Sequence, residues 1–195
     1  MKHIALLATL DTKSDEARFV ADAIRRRGHA ASIIDLSLRP GGSLVGDTSR
    51  AAVARAAGTS SEAVAGLQRA QAMEVVAAGA TTLVRAMVER RQIDAVIGIG
   101  GGTGTWMGTA VMRALPIGFP KLMVSTLAGR DAGTDIMVMP SVADIAVSRA
   151  AASSWRCSSA TAASTPAAVA SRSRCNHFAM RRRSRWGRGS RAMRR

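Results

Sequence analysis

A chain of 195 residues, 47% of them hydrophobic, has the length and apolar content for one medium domain with a core of its own. The net charge of +15 is unevenly held: residues 1–144 carry all 13 acids against 16 lysines and arginines, whereas residues 145–195 carry 12 arginines, no lysine and no acid. This excludes a chain that is basic or disordered throughout and divides the sequence into a domain, 1–145, and an Ala/Ser/Arg-rich tail, 146–195.

In chain order, Ile4 to Leu10 (IALLATL) reads as a central parallel strand, apolar without interruption because helices would cover both faces. It is too short for a secretory signal and is followed at once by Asp11, Lys13 and Asp15, so a cytoplasmic location is expected. A helix from about Ser14 to Arg27 follows, with Phe19, Val20, Ala23 and Ile24 on one face and Gly28 as its stop. Ala30 to Leu36 is a second strand, making a β-α-β unit. Thr9, Asp11, Thr12 and Lys13 therefore fall at a strand's carboxyl end. A lysine there can meet phosphate, and an Asp can hold Mg²⁺ or orient a hydroxyl. The plainer reading is that Asp11 or Thr12 caps the helix and Lys13 is solvated.

Residues 37–48 (SLRPGGSLVGDT) form a long loop of the kind that often serves as a lid. Asp47, Thr48 or Ser49 is expected to cap a helix from Arg50 to Ala57, and Ser60 or Ser61 another from Glu62 to Arg69. A longer helix covers about Gln71 to Arg91, with Val76, Ala80, Leu83, Val84, Met87 and Val88 as its buried stripe and Gly79 as a candidate kink.

The most informative stretch is Ala95 to Met112 (AVIGIGGGTGTWMGTAVM), eighteen residues with six glycines, three threonines and no charge. It reads as a buried strand, a glycine turn and a helix beginning near Trp106. This is the layout in which backbone N–H groups and a helix dipole hold an anion. Gly100, Gly101, Gly102 and Gly104 are the candidate cradle, and Thr103 and Thr105 would add hydroxyl donors. No Gly-Lys-Ser/Thr ends the motif, so it is not a Walker loop, and the dinucleotide fingerprint fits loosely. A tight structural turn is the alternative. Its Gly and Thr content excludes a membrane span.

Lys121 to Thr126 is a further strand, with Ser125 and Thr126 at its exit, and Asp135 to Met139 a short last one. Three strand exits carrying Thr, Ser, Gly or Lys converge on one edge of a parallel sheet, as a phosphate-bearing ligand requires. Cys157 and Cys175 are isolated and expected to be free thiols. The three histidines suggest no catalytic arrangement.

The segments ATLDTK (8–13), GIGGGTGT (98–105), PKLMVST (120–126) and GTDIMVMPSVADI (133–145), in that order, resemble the family of the tomato mosaic virus resistance protein, an ATP-binding domain family with many bacterial members. The resemblance covers roughly residues 1–145. It implies a Rossmann-like domain that binds ATP with Mg²⁺, in a protein about twice this length with a second α/β domain. In the plant member the domain binds a viral replication protein and blocks viral RNA synthesis. This chain departs from the family near Ala146, where a Gly-Leu-Asn-like segment gives way to Val-Ser-Arg-Ala-Ala-Ala, and the stretch from Thr126 to Gly133 is shorter than in some relatives.

The expected fold is thus α/β, a Rossmann-like parallel sheet with helices on both faces, followed by a disordered Arg-rich tail. The expected partners are a nucleotide and a second copy of the chain, with no membrane. Two alternatives belong to other classes. The chain is an inactive fragment of an ATP-using enzyme, or its tail is a nucleic-acid arm in which Trp155, Phe178 and Trp186 stack on bases. The tail's composition is also what out-of-frame translation of GC-rich DNA produces, so residues from about Ala146 are expected to be a frameshifted reading.

Overall fold

β1, His3–Ala8, is the strand on which the domain is assembled: it pairs in parallel with β2, Ala30–Asp35, on one side and β3, Ala95–Gly100, on the other. The computed structural model describes residues 1–127 and 135–141. β4, Lys121–Ser125, and β5, Met137–Pro140, extend the sheet to the order β2-β1-β3-β4-β5, parallel throughout. This confirms the α/β reading. The order is the flavodoxin-like variant of the doubly wound fold, with its switch point between β1 and β3. The tail, its tryptophans and both cysteines lie outside the described residues.

Strand alternation sorts the core into two layers. Leu6 and Ala8 of β1, Ile33 of β2 and Ile99 of β3 face α1, Leu10–Arg25, and its buried Ala17, Ala21 and Ile24. Ala5, Leu7, Ile34 and Val96 face the opposite layer, built from α2 (Arg50–Ala56), α3 (Ser61–Gly66), α4 (Arg69–Glu89) and α5 (Gly102–Arg113). Burying a Leu, Ile or Val side chain is worth about 1.5–3 kcal/mol, and β1 contributes to both layers, which is why its sequence is apolar at successive positions.

The long loop after β2 is packed down. Asp47 Oδ2 accepts from the Ile33 amide at 2.7 Å, and Thr48 exchanges bonds with Ile33 and Asp35, so the returning chain partly closes the free edge of β2. Gly42 has φ +89°, and a Cβ there would lie 2.0 Å from the Leu10 carbonyl oxygen. The Ser43 amide donates to Ser14 Oγ at 3.1 Å, and Arg18 donates to the Ser43 carbonyl. The loop thus rests on the start of α1.

Several boundaries differ from the sequence reading. α1 begins at Leu10, four residues early, because Asp11–Lys13 make a first turn of their own before a break at Lys13 (φ −129°, ψ 28°). Ser49 and Ser60 cap α2 and α3, their Oγ atoms accepting from Ala52 and Ala63 amides. α3 ends at Gly66, and Arg69 opens α4 instead of closing α3. The glycine run is not a loop. Gly98 and Gly100 are in β3, Gly101 alone makes the connection, and Gly102 starts α5. None of these glycines has a positive φ; their small size is what the packing uses.

Gly79 likewise does not kink α4, which runs unbroken from Arg69 to Glu89. A Cβ at Gly79 would sit 2.1 Å from the Val53 carbonyl oxygen, so its hydrogen lets α2 and α4 touch. Alanine is a better helix former than glycine by about 1 kcal/mol, while overpacking costs about 1–3 kcal/mol. Packing should win: Gly79→Ala is expected to lower the melting temperature, and a rise in thermal denaturation would show that the two helices do not approach this closely.

Candidate functional site

A cavity of about 390 Å³ opens at the switch point, within the range of small-molecule sites. Its floor is Thr9, Asp11 and Thr12 at the β1 exit, with Thr103 from the first turn of α5. α1 and α5 leave on opposite faces of the sheet, so the chain parts between their starts and a crevice results. Leu38, Val64 and Leu67 form an apolar wall, and Arg39 and Arg69 are the exposed cations at its rim.

Of the twelve residues proposed from the sequence, Thr9, Asp11, Thr12 and Thr103 are brought together here. Thr9 is buried, and its Oγ1 lies 3.1 Å from Thr12 Oγ1. Burial raises the Asp11 carboxyl above its ordinary value, the Asp35 carboxylate adds to the rise, and hydrogen bonding from Thr12 opposes it. Asp35 itself is committed to structure: its Oδ1 accepts from the Ser37 amide at 2.9 Å and the Leu10 amide at 3.4 Å, and from Ser37 Oγ.

The remaining eight are not among the lining residues, although Gly102 and Gly104 flank Thr103 at the start of α5. Lys13 does not line the cavity; its Nζ is 3.9 Å from Glu16 Oε1, and both side chains are largely covered. Gly100 and Gly104 are spent on contact between strand and helix, since a Cβ on Gly100 would lie 2.5 Å from the Gly104 carbonyl carbon. Thr105 Oγ1 donates to the Gly100 carbonyl and lies 2.8 Å from Ser125 Oγ, a buried clasp between α5 and β4. Thr126 donates its amide to the Gly100 carbonyl at 3.3 Å. Gly101 is the N-cap of α5 and offers no side-chain acceptor, and the helix runs on through Gly102 without an acid in its first turn.

Arg39, Leu38, the α3 wall and Arg69 were not anticipated. Arg69 was misplaced at the C-terminal end of α3, where an arginine suits the helix dipole; at the start of α4 it opposes the dipole, and that would have marked it. Among the described residues no group of three or more His, Cys, Asp or Glu side chains is placed to hold a metal, and no helix is long and apolar enough to cross a membrane. Asp11 alone cannot make a protein-only metal site. Mg²⁺, which commonly takes one or two carboxylates together with substrate phosphates, fits such a single ligand.

Comparison with known proteins places these residues in context. Residues 2–172 match the family described as "Uncharacterised protein family (UPF0261) N-terminal domain". A UPF0261 protein of Mesorhizobium japonicum is 41% identical over 151 residues, 75% of this chain and 37% of the relative, and one of Clostridium tetani is 36% identical over 150 residues, 74% and 37%. The tomato ToMV resistance protein Tm-1 is 34% identical over 82 residues, 40% of this chain and 11% of that protein. The plant similarity is thus partial. The chain spans about 30–37% of the length of the bacterial relatives it matches.

The Asp11 carboxyl yields a signed expectation. Its folded-state pKa is raised, so the native state holds the proton more tightly than the unfolded chain and is penalised once the group ionises. Asp11→Asn should therefore raise the melting temperature at pH 7, and the gain should shrink as pH falls through the raised pKa and vanish below the ordinary Asp value. Thermal melts of both proteins from pH 3.5 to 7.5 decide it: a variant less stable at pH 7 contradicts the buried, like-charged setting.

Proposed function

Because this chain belongs to the UPF0261 family, represented by its N-terminal domain, we propose that the domain's part in the whole protein is to bind a nucleotide, ATP with Mg²⁺, in the switch-point cavity. The observation that carries the reading is the convergence of β1-exit hydroxyls, an uncapped α5 start and two arginines on a cavity with an apolar wall. An apolar wall suits a base, and hydroxyls, free helix N–H groups and guanidinium suit phosphates. Asp11 is the residue that would hold Mg²⁺. When bound, the ion would supply positive charge that offsets the repulsion between Asp11 and an anionic ligand. The tomato ToMV resistance protein shares only part of this chain, and its role in virus resistance is not carried over.

The reading is tested by calorimetric titration of the 195-residue chain with ATP, with and without Mg²⁺. Mg·ATP should bind and raise the melting temperature, by linkage about 2.7 kcal/mol of stability at a hundred times Kd. Asp11→Asn should remove the Mg²⁺ dependence while leaving a folded protein. Absence of heat and of any melting shift with every nucleotide would refute the proposal.

A further inference from the structure

The two faces of the sheet are unequally covered. The layer built from α2 to α5 packs on one face as far as β4 and β5, where Met123 and Val138 join its core. On the other face α1 covers β1 and β2 and reaches Ile99 of β3. Beyond it the strand registers set two rows on a single face, Ile97 beside Leu122 beside Met137, and Ile99 beside Val124 beside Met139. Exposure rises outward along them: Ile99 is buried, Leu122 and Val124 are half-buried, and Met137 and Met139 are exposed. β5 carries no charged residue, whereas an edge strand that meets water is ordinarily blunted by one. From β3 to β5 is two inter-strand spacings, about 10 Å, which is the width of one helix.

Topology and composition identify the cover. β3 joins β4 through α5, on the far face, and a further parallel strand beside β5 would by the same right-handed rule cross over there too. Extending the sheet therefore leaves this face open, and only a segment that turns back over the sheet closes it. The Ser141 amide donates to the Ser125 carbonyl at 2.9 Å, so the chain leaves the sheet beside the patch, within a short connection of it. Residues 148–195 hold Val169, Met180 and Met193 as their only Ile, Leu, Val or Met side chains, too few for the apolar stripe of a covering helix. The relatives are longer: the match is to an N-terminal domain and occupies 37% of the Mesorhizobium japonicum protein. A second copy of the chain is a poor cover, since a stable interface takes roughly 20–30 residues a side. A tethered helix needs fewer contacts because its association is intramolecular.

We propose that this face of β3, β4 and β5 is the docking surface for an amphipathic helix from the part of the UPF0261 protein that follows the N-terminal domain. The helix lies beside α1 and sets its apolar stripe on Leu122, Val124, Met137 and Met139, where the unbranched methionines adapt to its side chains. The rest of the protein is thereby held at the far edge of the sheet, apart from the cavity, which draws no lining residue from β4 or β5.

The test compares the 195-residue chain with a chimera in which residues 1–141 are followed by the sequence that lies beyond the matched segment in the Mesorhizobium japonicum relative. Under mild peroxide, read by peptide mass spectrometry, Met137 and Met139 should oxidise about fivefold more slowly in the chimera, with exposed Met1 reacting and buried Met123 resisting in both proteins. Met137→Lys and Met139→Lys should each leave the melting temperature of the 195-residue chain unchanged and lower that of the chimera by several degrees. Equal oxidation in the two proteins, or equal tolerance of the lysines, overturns the proposal. Protection of both methionines already in the 195-residue chain overturns it as well, and light scattering then assigns the cover to a second copy or to residues 142–195. If the chimera does not fold, the 195-residue chain decides: it should bind a hydrophobic fluorescent dye, and replacing both methionines by lysine should remove most of that binding. Dye binding that is absent, or undiminished in the double variant, refutes an open docking face.

Discussion

The backbone of α5 lies directly on the end of β3, and the architecture above the sheet follows from that contact. A Cβ at Gly100 would stand 2.6 Å from the Gly104 Cα and the Thr105 nitrogen, so only glycine leaves room for the helix to begin one residue after the strand. Gly104 in turn sits against the Ile99 carbonyl and the Thr9 side chain, which brings the start of α5 to the β1 exit. With the helix so placed, Thr105 reaches Ser125 and ties β3 to β4. A conventional turn of several residues would lift α5 off the sheet and separate Thr103 from Thr9.

This contact explains what the sequence could and could not reveal. The uninterrupted apolar run from Ile4 to Ala8 has one good solution, a parallel strand covered on both faces, and β1 was legible for that reason; β2 was legible as the short segment around Ile33 and Ile34 that follows the helix stop at Gly28. The glycine run was recognised as the organising stretch but read as a turn that cradles an anion, because composition reports the absence of a Cβ and not whether a ligand or neighbouring backbone takes the space it leaves. Here it serves proximity, as it does at Gly79. Four of the eleven residues that line the candidate cavity were legible. Thr9, Asp11, Thr12 and Thr103 follow from strand-exit logic, which is local. Arg69 depends on where α3 stops, and a break at Gly66-Leu67-Gln68 has no strong sequence marker beyond one glycine.

The hydroxyl groups at the sheet's carboxyl edge divide into two populations. Thr105 and Ser125 are buried and satisfied by each other and by backbone, and Ser14 Oγ donates to the Leu10 carbonyl at 2.5 Å. Groups of this kind hold elements together, and removing one partner leaves a buried polar atom unsatisfied at about 1–3 kcal/mol. Thr12 and Thr103 are less covered and line the cavity. The same residue type at neighbouring strand exits thus serves stability on the β3–β4 side and faces solvent on the β1–β3 side, and the difference is set by strand order, with the switch point falling only between β1 and β3.

That separation extends to the far edge of the sheet. Leu122 pairs with Met137 and Val124 with Met139, so these four share a face, and no residue of β4 or β5 belongs to the cluster packed on α1. Met137 is 69% exposed and Met139 50%. What holds this edge is the opposite face and its end: Met123 is buried among α5 side chains, and the Lys121 ammonium, 1% exposed, is 2.6 Å from Asp135 Oδ2 and donates to the Leu115 carbonyl. Hydrogen bonding to Lys121 keeps the Asp135 carboxyl below its ordinary range, so it meets Lys121 as a carboxylate. The cavity draws its lining from the residues that follow β1 and β2 and from the helices around them, and none of it from β4 or β5. Its geometry is therefore set on the side of the sheet packed by both helix layers, and the apolar face of β4 and β5 lies outside the set of contacts that positions Thr9, Asp11, Arg69 and Thr103.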